Sequence, residues 1–442
     1  MADLVDLQVV DKGLEAGLAK LTPQRIEQVI NSVLSQAVAG RMKLYLSTCV
    51  HCGLCADACH TYVSRNRDPD FAPVAKVKDS LLVMIQKKGR VDAEFMKNAA
   101  RIAFVECGGC RRCSMYCPFG IDIATMIMTV RRICSLLGMV PQYMQDTTNS
   151  HSATSNQMWV QPDDWIDTLM WQEEDAQLEV AGLRIPLDKE GAEVMYSVIA
   201  PEPKVMAQLI ANMAVVMTVA KVDWTMTSGD GWDNSNMAMF SGDLEIMGRI
   251  EREHWERALE LRVGKMVMGE CGHAYRGAVY DGPKWLGWQG PPLPMEHAVE
   301  FYYDLLREGR LEITDKLTEP VTIQDPCNIV RGRGLHEKLR YVVHALCDNV
   351  VEMDPKYEHN YCCAAGGGVI NCGPPWKLAR LKSIKIKAEQ LERTGASLCI
   401  TPCHNCHHGV EDIIGHYHLD MRTSFILELL VKQMKMPAGA GE

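Results

Sequence analysis

The sequence predicts a multidomain α + α/β protein, in which a helical, cysteine-rich domain precedes a duplicated α/β domain. The chain has 442 residues, too many for one small core, and two matching four-cysteine runs stand among segments of helical periodicity. From about residue 193, short apolar runs alternate with longer amphipathic ones. The predicted parts are an N-terminal extension (1–24), a helical domain (25–145), a linker (146–190), a first repeat (191–315), a second repeat (316–435) and a flexible tail (436–442).

Composition and charge exclude several classes of protein. The formal charge of −10 argues against nucleic-acid binding, which needs an excess of Lys and Arg on one face. Residues 1–20 mix charged residues with short apolar pairs, unlike a secretion signal. The most apolar stretch, 205–220, contains Gln208 and Asn212 and is shorter than the ~20 residues that span a bilayer, so a buried helix is expected there. We therefore expect a cytoplasmic protein that reaches a membrane through partner subunits.

Eight of the eighteen cysteines form two runs with identical spacing, Cys-x-x-Cys-x-x-Cys-x-x-x-Cys. Clustered cysteines in a reducing compartment favour metal binding over disulfides. This spacing is typical of proteins with two [4Fe-4S] clusters, in which the fourth cysteine of each run ligates the other cluster. One cubane is expected on Cys49, Cys52, Cys55 and Cys117, and the other on Cys107, Cys110, Cys113 and Cys59.

Two tetrahedral zinc sites are the alternative, since zinc also uses clustered cysteines. Zinc sites usually supply Cys-x-x-Cys pairs, whereas here two four-cysteine runs match and Pro118 follows the second. Gly53, Gly108 and Gly109 suit loops whose backbone must approach a cluster closely.

The 47 residues between the two runs have helical periodicity, as does the segment after the second run. Helices are predicted at 80–88, 93–104 and 123–137. Residues 25–140 resemble the α-helical ferredoxin domain of respiratory iron-sulfur subunits. Four arginines near the second run are expected either to dock an acidic electron donor or to lie on a solvated helix face: Arg111, Arg112, Arg131 and Arg132.

Five further cysteines lie near the ends of predicted strands in the second half. Buried strands are predicted at 194–200, 265–269, 321–325 and 398–401. Because the ends of strands in open α/β sheets form the usual ligand crevice, these cysteines are expected to converge from three loops on a third metal centre: Cys327, Cys362, Cys363, Cys403 and Cys406.

These five cysteines resemble the pattern of heterodisulfide reductase catalytic subunits with their cysteine-rich CCG domains. The pattern is one cysteine, an adjacent pair, then Cys-x-x-Cys, here with gaps of 34 and 39 residues. The resemblance implies a noncubane [4Fe-4S] cluster on them and assigns the cleavage of disulfides to it. One position departs from the pattern, because Ala364 stands where the glycine after the pair usually is.

The first repeat resembles an incomplete copy of the second. Residues 265–274 can be laid over 397–406, which pairs Cys271 with Cys403 and Ala274 with Cys406. The first repeat is thus expected to be mainly scaffold, with Cys271 and His273 as candidates for lining the shared crevice. This combination resembles the cytoplasmic iron-sulfur subunits of Dsr-, Tmc- and Hmc-type transmembrane redox complexes of sulfate-reducing bacteria, and the sequence does not separate the three types.

The resemblance implies a heterodisulfide reductase-like oxidoreductase of anaerobic respiration. Electrons are expected from a membrane cytochrome b-type subunit, with other subunits of the complex and a periplasmic cytochrome c behind it. The implied substrate is a disulfide or trisulfide on a small sulfur-carrier protein, or a heterodisulfide. The alternative is a pure electron relay between the membrane subunit and a soluble partner.

Other candidate residues have ordinary structural interpretations. Cys134, Cys347, Cys372 and Cys399 stand outside the motifs and are expected to be buried as small apolar side chains. His404, His407 and His408 are candidates for supplying protons or for structural hydrogen bonds. No glycine-rich dinucleotide motif follows a predicted strand, so a nicotinamide or flavin site has no support.

Overall fold

The computed structural model describes residues 9–36, 38–199 and 201–437. The first eight residues, the predicted strand end at position 200 and most of the predicted tail lie outside this range. Within it, residues of the predicted N-terminal extension are tied to the second repeat. Asp11 caps the first helix by accepting hydrogen bonds from the backbone N–H groups of Gly13 and Leu14, and it also accepts one from Trp376 Nε1 at 2.8 Å.

The N-terminal half is helical, and the predicted helices 93–104 and 123–137 are found with nearly the same bounds. The predicted helix 80–88 begins earlier, with a wide π-type turn at Lys78–Leu82. The helices are α1 (Lys12–Leu18), α2 (Pro23–Ser35), α3 (Val38–Thr48), α4 (Leu54–Asp57), α5 (His60–Ser64), α6 (Pro73–Val77), α7 (Val83–Gln86), α8 (Ala93–Phe104), α9 (Arg112–Met115), α10 (Ile123–Leu136), α11 (Gln142–Thr154) and α12 (Pro162–Glu179).

The segment 146–190, predicted as a linker from its polar composition, differs from that expectation. Most of it belongs to α11 and α12, and Ser150 and His151 are buried. Trp165 of α12 is also buried and stacks on Trp232 with 4.6 Å between ring centroids. Polar residues here form hydrogen bonds inside the fold, which composition alone does not reveal.

A four-stranded parallel sheet forms the first repeat, in the order β2-β1-β3-β4. The strands are β1 (Val194–Ser197), β2 (Trp224–Thr225), β3 (Lys265–Met268) and β4 (Met295–His297). The helices around it are α13 (Glu202–Val205), α14 (Gln208–Val219), α15 (Asn236–Ser241), α16 (Leu244–Glu260), α17 (Gly272–Arg276), α18 (Gly282–Trp285) and α19 (Ala298–Arg307). The helix expected within 205–220 is α14, which is largely buried.

A three-stranded parallel sheet forms the second repeat, in the order β5-β6-β7. The strands are β5 (Val321–Ile323), β6 (Leu398–Ile400) and β7 (Arg422–Ser424). The helices are α20 (Val330–Arg333), α21 (His336–Leu346), α22 (Pro374–Lys382), α23 (Lys385–Glu392), α24 (His404–Tyr417) and α25 (Ile426–Gln433). The predicted mixed fold is confirmed, with strands somewhat shorter than expected. No helix in the described ranges has the length and apolar character needed to cross a membrane.

Candidate metal centres

The first cysteine group lies at the surface of the helical region. Cys49, Cys52, Cys55 and Cys117 line one cavity of about 270 Å³. Cys52 is exposed, and burial raises the pKa of the Cys55 thiol to about 11. Cys117 thus lies with the first three cysteines of the other run.

The second cysteine group lies deeper. Cys59, Cys107, Cys110 and Cys113 line a narrower cavity of about 30 Å³, and burial raises the pKa of Cys113. Cys59 therefore lies with the second run, so the chain brings together the two crossed sets that the sequence predicts. The assignment of these cysteines as cluster ligands stays a prediction.

Left-handed backbone positions give the loops of both runs their tight turns. Gly53 has φ +84° and Gly109 has φ +61°, a region that glycine enters without steric cost. Arg111 takes φ +61° although it carries a side chain. The four thiols of each group thereby face one cavity, which is the donor set that a [4Fe-4S] cluster requires.

The third cysteine group joins three loops of the second repeat. Cys403 caps the N-terminus of α24 just beyond β6, and Cys327 follows β5. Cys362, Cys363, Cys403 and Cys406 form one buried group, and Ala365 packs among them. Cys327 is only partly buried and lies beside His273, whose pKa it helps to raise. Four buried soft sulfur donors, with Cys327 as a fifth at the edge of the group, fit an iron-sulfur cluster, so the residues present suit the cofactor that the resemblance implies.

The first repeat adds Cys271 and His273 to this site. Ligand atoms of Cys271, His273 and Cys403 all lie within 4.8 Å of one another, and all three residues are buried. Cys271 caps α17 beyond β3, the position that Cys403 holds at α24 beyond β6. The Gly367 N–H donates to His273 Nε2 at 3.1 Å, and His273 Nδ1 lies 3.9 Å from Cys403 Sγ. The incomplete repeat is therefore part of the site as well as scaffold.

The second and third cysteine groups touch. The Sγ atoms of Cys110 and Cys362 and a ring nitrogen of His60 all lie within 4.8 Å of one another. Gly108 and Gly367 approach so closely that a Cβ on Gly367 would lie 2.0 Å from the Gly108 carbonyl oxygen. No side chain separates the two sites at this contact.

Buried arginines fix this junction. Arg131 donates to the carbonyl oxygens of Cys107 at 2.7 Å, Phe240 at 2.9 Å and Gly367 at 2.5 Å. Arg331 donates to the Cys110 carbonyl oxygen at 2.6 Å. Both expectations for the arginines are wrong for Arg112 and Arg131, which are 4% and 0% exposed. Their guanidinium groups donate hydrogen bonds to buried backbone carbonyl oxygens. Helical periodicity in the sequence does not show which face of a helix another domain covers.

Arg111 and Arg132 are less deeply placed than Arg131. The Arg132 side chain is 13% exposed and forms an ion pair with Glu245. Burial lowers the pKa of Arg111. Neither side chain lies on a fully solvated helix face.

Sequence reasoning missed two buried lysines beside these groups. Lys76 donates to the Glu106 carbonyl oxygen at 2.6 Å, and Lys387 donates to Asn360 Oδ1 at 2.7 Å. Burial opposes the charge of Lys76, but the Cys59 thiol and Glu106 outweigh it and raise its pKa. Burial lowers the pKa of Lys387 to about 8. Both lysines sit in amphipathic helical patterns, where a lysine normally indicates the solvent side.

The remaining candidate residues, the isolated cysteines and three histidines, differ in how deeply they are buried. The isolated cysteines Cys134, Cys347, Cys372 and Cys399 are buried, as expected. His404 and His407 are also buried, whereas His408 pairs with Glu411 at 3.0 Å near the surface. Burial lowers the pKa of His404 to about 3, so its ring is neutral at physiological pH.

Comparison with known proteins identifies two domains. Residues 45–121 match the 4Fe-4S dicluster domain, and residues 321–411 match the Cysteine-rich domain, CCG. The first span contains all eight cysteines of the two runs, and the second contains all five of the third group.

Similar proteins share most of the chain length. The iron-sulfur subunit 2 of an Hdr-like menaquinol oxidoreductase from Archaeoglobus fulgidus is 24% identical, over 82% of this chain and 74% of that protein. One subunit of the dihydromethanophenazine:CoB–CoM heterodisulfide reductase from Methanosarcina mazei is 24% identical, over 94% of this chain and 99% of that protein. An EtfAB:quinone oxidoreductase from Syntrophomonas wolfei is 22% identical, over 74% of this chain and 48% of that protein.

These findings confirm the resemblance predicted from the cysteine spacing. The chain carries a 4Fe-4S dicluster domain and a CCG domain, and it is similar to a heterodisulfide reductase subunit over nearly the whole length of both proteins, which supports an iron-sulfur oxidoreductase. Its resemblance to the narrower Dsr, Tmc and Hmc group stays a prediction.

Proposed function

From its similarity to heterodisulfide reductase-like proteins, we propose that this chain is the iron-sulfur subunit of a membrane-bound respiratory redox complex. Electrons pass through two cubane [4Fe-4S] clusters to a noncubane [4Fe-4S] centre, where a disulfide or trisulfide is reduced. The contact between Cys110 and Cys362, whose Sγ atoms lie within 4.8 Å of each other, carries this proposal, because it joins the second cysteine group to the third. A chain with independent structural metal sites would not need that contact.

The order of the three groups supports a direction from surface to interior. Cys52 of the first group is exposed, whereas Cys403 and Cys406 of the third are at most 2% exposed. The second group lies between them. Electrons from a partner protein therefore enter at the first group, and substrate reacts at the third.

The reaction consumes two electrons and two protons. A disulfide R–S–S–R′ accepts them, its S–S bond breaks, and two thiols form; the electrons come one at a time from the partner through the cubanes. When bound, the noncubane centre supplies iron that can hold a substrate sulfur. The chain's five cysteines would hold that centre, the buried ammonium of Lys387 lies near Cys363 and Cys406, and the burial of four of the cysteines excludes bulk water.

The partners and location belong to the same proposal. Electrons come from a cytochrome b-type membrane subunit, other subunits link it to periplasmic cytochrome c, and a small sulfur-carrier protein or a heterodisulfide is the substrate. The chain is cytoplasmic and bound peripherally to the inner membrane through those subunits. The names of the relatives from Archaeoglobus and Methanosarcina support a respiratory complex.

A pure electron relay is the second candidate. The observation in its favour is the burial of four of the five cysteines of the third group, which restricts access for a substrate. In that case the third centre passes electrons to a soluble redox protein and binds no sulfur compound.

Disulfide reduction by the purified protein separates the two functions. Anaerobic protein reduced at an electrode should carry about twelve iron atoms per chain, convert a disulfide to thiols stoichiometrically, and show an EPR signal with disulfide that the cubanes alone do not give. Cys406→Ser should keep about eight irons and lose both the conversion and the signal. Reoxidation by redox proteins but by no disulfide would establish the relay, and zinc in place of iron would refute both functions.

A further inference from the structure

A cavity of about 280 Å³ lies between the two repeats, beside the third cysteine group. Val205 stands at its rim and is 63% exposed, so the cavity is accessible from the surface. Its walls come from α11 and the segment after it, from the first repeat and from the second repeat. Neither the motifs nor the comparisons assign a role to it.

The inner end of the cavity reaches the cysteines. Ile370 lines the cavity and packs against the buried cysteine group. Asn405 also lines it, and its Nδ2 donates to Cys271 Sγ at 3.8 Å. The Cys363 thiol donates to the Asn405 carbonyl oxygen at 3.9 Å. Ile370 and Asn405 thus lie between the cavity and the thiols.

Two buried polar side chains in the wall have unused hydrogen-bonding atoms. Both ring nitrogens of His404 and Oδ1 of Asn236 find no hydrogen-bond partner among the described residues, and the two residues are 2% and 3% exposed. His404 Nε2 lies 3.5 Å from Glu202 without forming a hydrogen bond. Because a buried polar atom without a partner costs about 1–3 kcal/mol, these atoms are available to form hydrogen bonds with a ligand in the cavity.

The lining is uncharged. Among its described residues there is no Asp, Glu, Lys or Arg; the side chains are amides such as Asn236 and Asn371, the rings of His404 and His408, and apolar groups such as Met237 and Val205. A sulfonate, phosphate or carboxylate would lose its hydration here without gaining a lysine or arginine partner, and the one partly exposed histidine, His408, already pairs with Glu411. Amide groups and apolar stems, in contrast, find matching surface.

We propose that this cavity is the substrate entrance to the third cysteine group and that it binds an uncharged, amide-bearing sulfur compound, such as a cysteine in an extended peptide segment. This inference rests on the proposed function and narrows its substrate class. The first repeat supplies one wall of the entrance, and Asn405 is a positioning residue between the bound sulfur compound and the thiols.

A matched pair of probes tests the charge preference. The disulfides of N-acetylcysteinamide and N-acetylcysteine differ in an amide against a carboxylate. With anaerobic holoprotein, the disulfide concentration for half-maximal change in the EPR signal of the third centre should be at least about tenfold lower for the amide. Asn371→Arg, at the partly exposed wall, should remove that preference by improving the carboxylate compound, a gain that mere damage to the fold would not produce.

A bulky side chain at the opening of the cavity tests whether the substrate enters there. Val205→Trp should raise the half-saturating concentration of the amide compound about tenfold, with iron content and cubane signals unchanged. Leu178→Trp is the matched control, since Leu178 is 76% exposed and outside the cavity lining, and it should behave as wild type. Equal response to both probes together with a wild-type response of Val205→Trp would overturn the entrance and leave the proposed function standing. A wild-type protein whose third centre responds to no disulfide would overturn both.

Discussion

Lys387 is fully buried in α23 close to the third cysteine group. Its ammonium donates to Asn360 Oδ1 at 2.7 Å and to Gln390, and it lies 3.5 Å from the Met353 sulfur. A buried cation is retained where a neighbouring negative charge offsets its desolvation. In the proposed function the thiolates of the third cysteine group, among them Cys363 and Cys406, would supply that charge, which would give Lys387 a role in setting the reduction potential.

Lys387→Met should lower the reduction potential of the third centre by roughly 50–100 mV, the equivalent of about 1–2 kcal/mol for one electron. The direction follows because losing a nearby positive charge disfavours adding an electron. An EPR-monitored redox titration measures it. Lys385→Met is the control, since this lysine lies on the same helix with a side chain that is 62% exposed. Equal potentials in both variants, at full iron content, would contradict the assigned role.

Glu251 is a buried acidic residue outside the three cysteine groups. Ser235 Oγ donates to Oε1, while Oε2 finds no hydrogen-bond partner among the described residues and lies 4.0 Å from His254 Nδ1. Burial, with smaller contributions from Asp281 and Asp233, raises the pKa of Glu251 to about 7. The pKa of His254 is lowered to about 4 by burial, so this ring stays neutral and does not balance the carboxylate.

The free energy of unfolding should therefore fall as the pH rises through the pKa of Glu251. The folded state holds this proton more tightly than the unfolded state, so the stabilisation is complete below about pH 4.5 and is lost as pH rises through about 7. The shift corresponds to about 3 kcal/mol. Glu251→Gln should reduce the decrease in Tm between about pH 5 and pH 8, measured anaerobically by calorimetry. The same pH slope in the variant and in wild type would exclude Glu251 as its source.

The site residues that could be predicted from the sequence are those that lie at a spacing typical of cluster ligands. The cysteine runs around Cys49 and Cys107 are contiguous, so their pattern is readable without a structure. Cys271 is one cysteine without a nearby partner, and only the internal repeat indicated it. Lys387 and Arg131 carried no signal, because their burial depends on contacts with parts of the chain that are distant in sequence.

At the scale of elements, two glycine loops set the distance between the second and third cysteine groups. The loop with Gly108 follows Cys107, and the loop with Gly367 follows the cysteine pair Cys362–Cys363. Their backbones meet without a side chain between them, and Arg131 ties both by hydrogen bonds to carbonyl oxygens of Cys107 and Gly367. The sequence indicated close backbone approach to a cluster, but the approach of one loop to the other needed the structure.

The loop with Gly367 also contains a residue in a strained backbone conformation. Ala364 has φ +55°, a left-handed conformation that costs a residue with a Cβ roughly 1 kcal/mol. The position is the one where glycine usually stands in the CCG pattern. The backbone shape is thus kept although the residue has changed.

Gly367→Ala should separate the two loops. Gly367 has φ +64°, and its added Cβ would lie 2.0 Å from the Gly108 carbonyl oxygen. Gly120→Ala is a matched control because Gly120 has φ +66° with open space around it. Both variants should lose about 1 kcal/mol of stability from the backbone conformation, but only Gly367→Ala should slow electron transfer to the third centre, by at least about tenfold in rapid-freeze EPR. Equal rates in the two variants would show that loop contact does not control the transfer.

At the scale of the whole molecule, duplication explains the arrangement of the sheets. β1, β3 and β4 of the first repeat stand in the same parallel order as β5, β6 and β7 of the second. β3 and β6 lead to Cys271 and Cys403, which meet at one site. The duplication could be predicted from the aligned segments, whereas the helical packing of 146–190 could not, since its polar composition resembles that of a linker.

The outermost position of the first cysteine group predicts where electrons enter. Cys52→Ser should reduce iron from about twelve to about eight atoms per chain and slow reduction of the third centre by an electrode-reduced small ferredoxin at least tenfold. Dithionite, which is small enough to reach the other groups, should still reduce that centre, and its EPR response to disulfide should persist. Cys347→Ala, at a buried cysteine outside the motifs, should keep all the iron and the wild-type rate. If Cys52→Ser abolished the disulfide response under dithionite, the first cluster would be required for the chemistry itself, and the separation of electron entry from substrate reduction would be wrong.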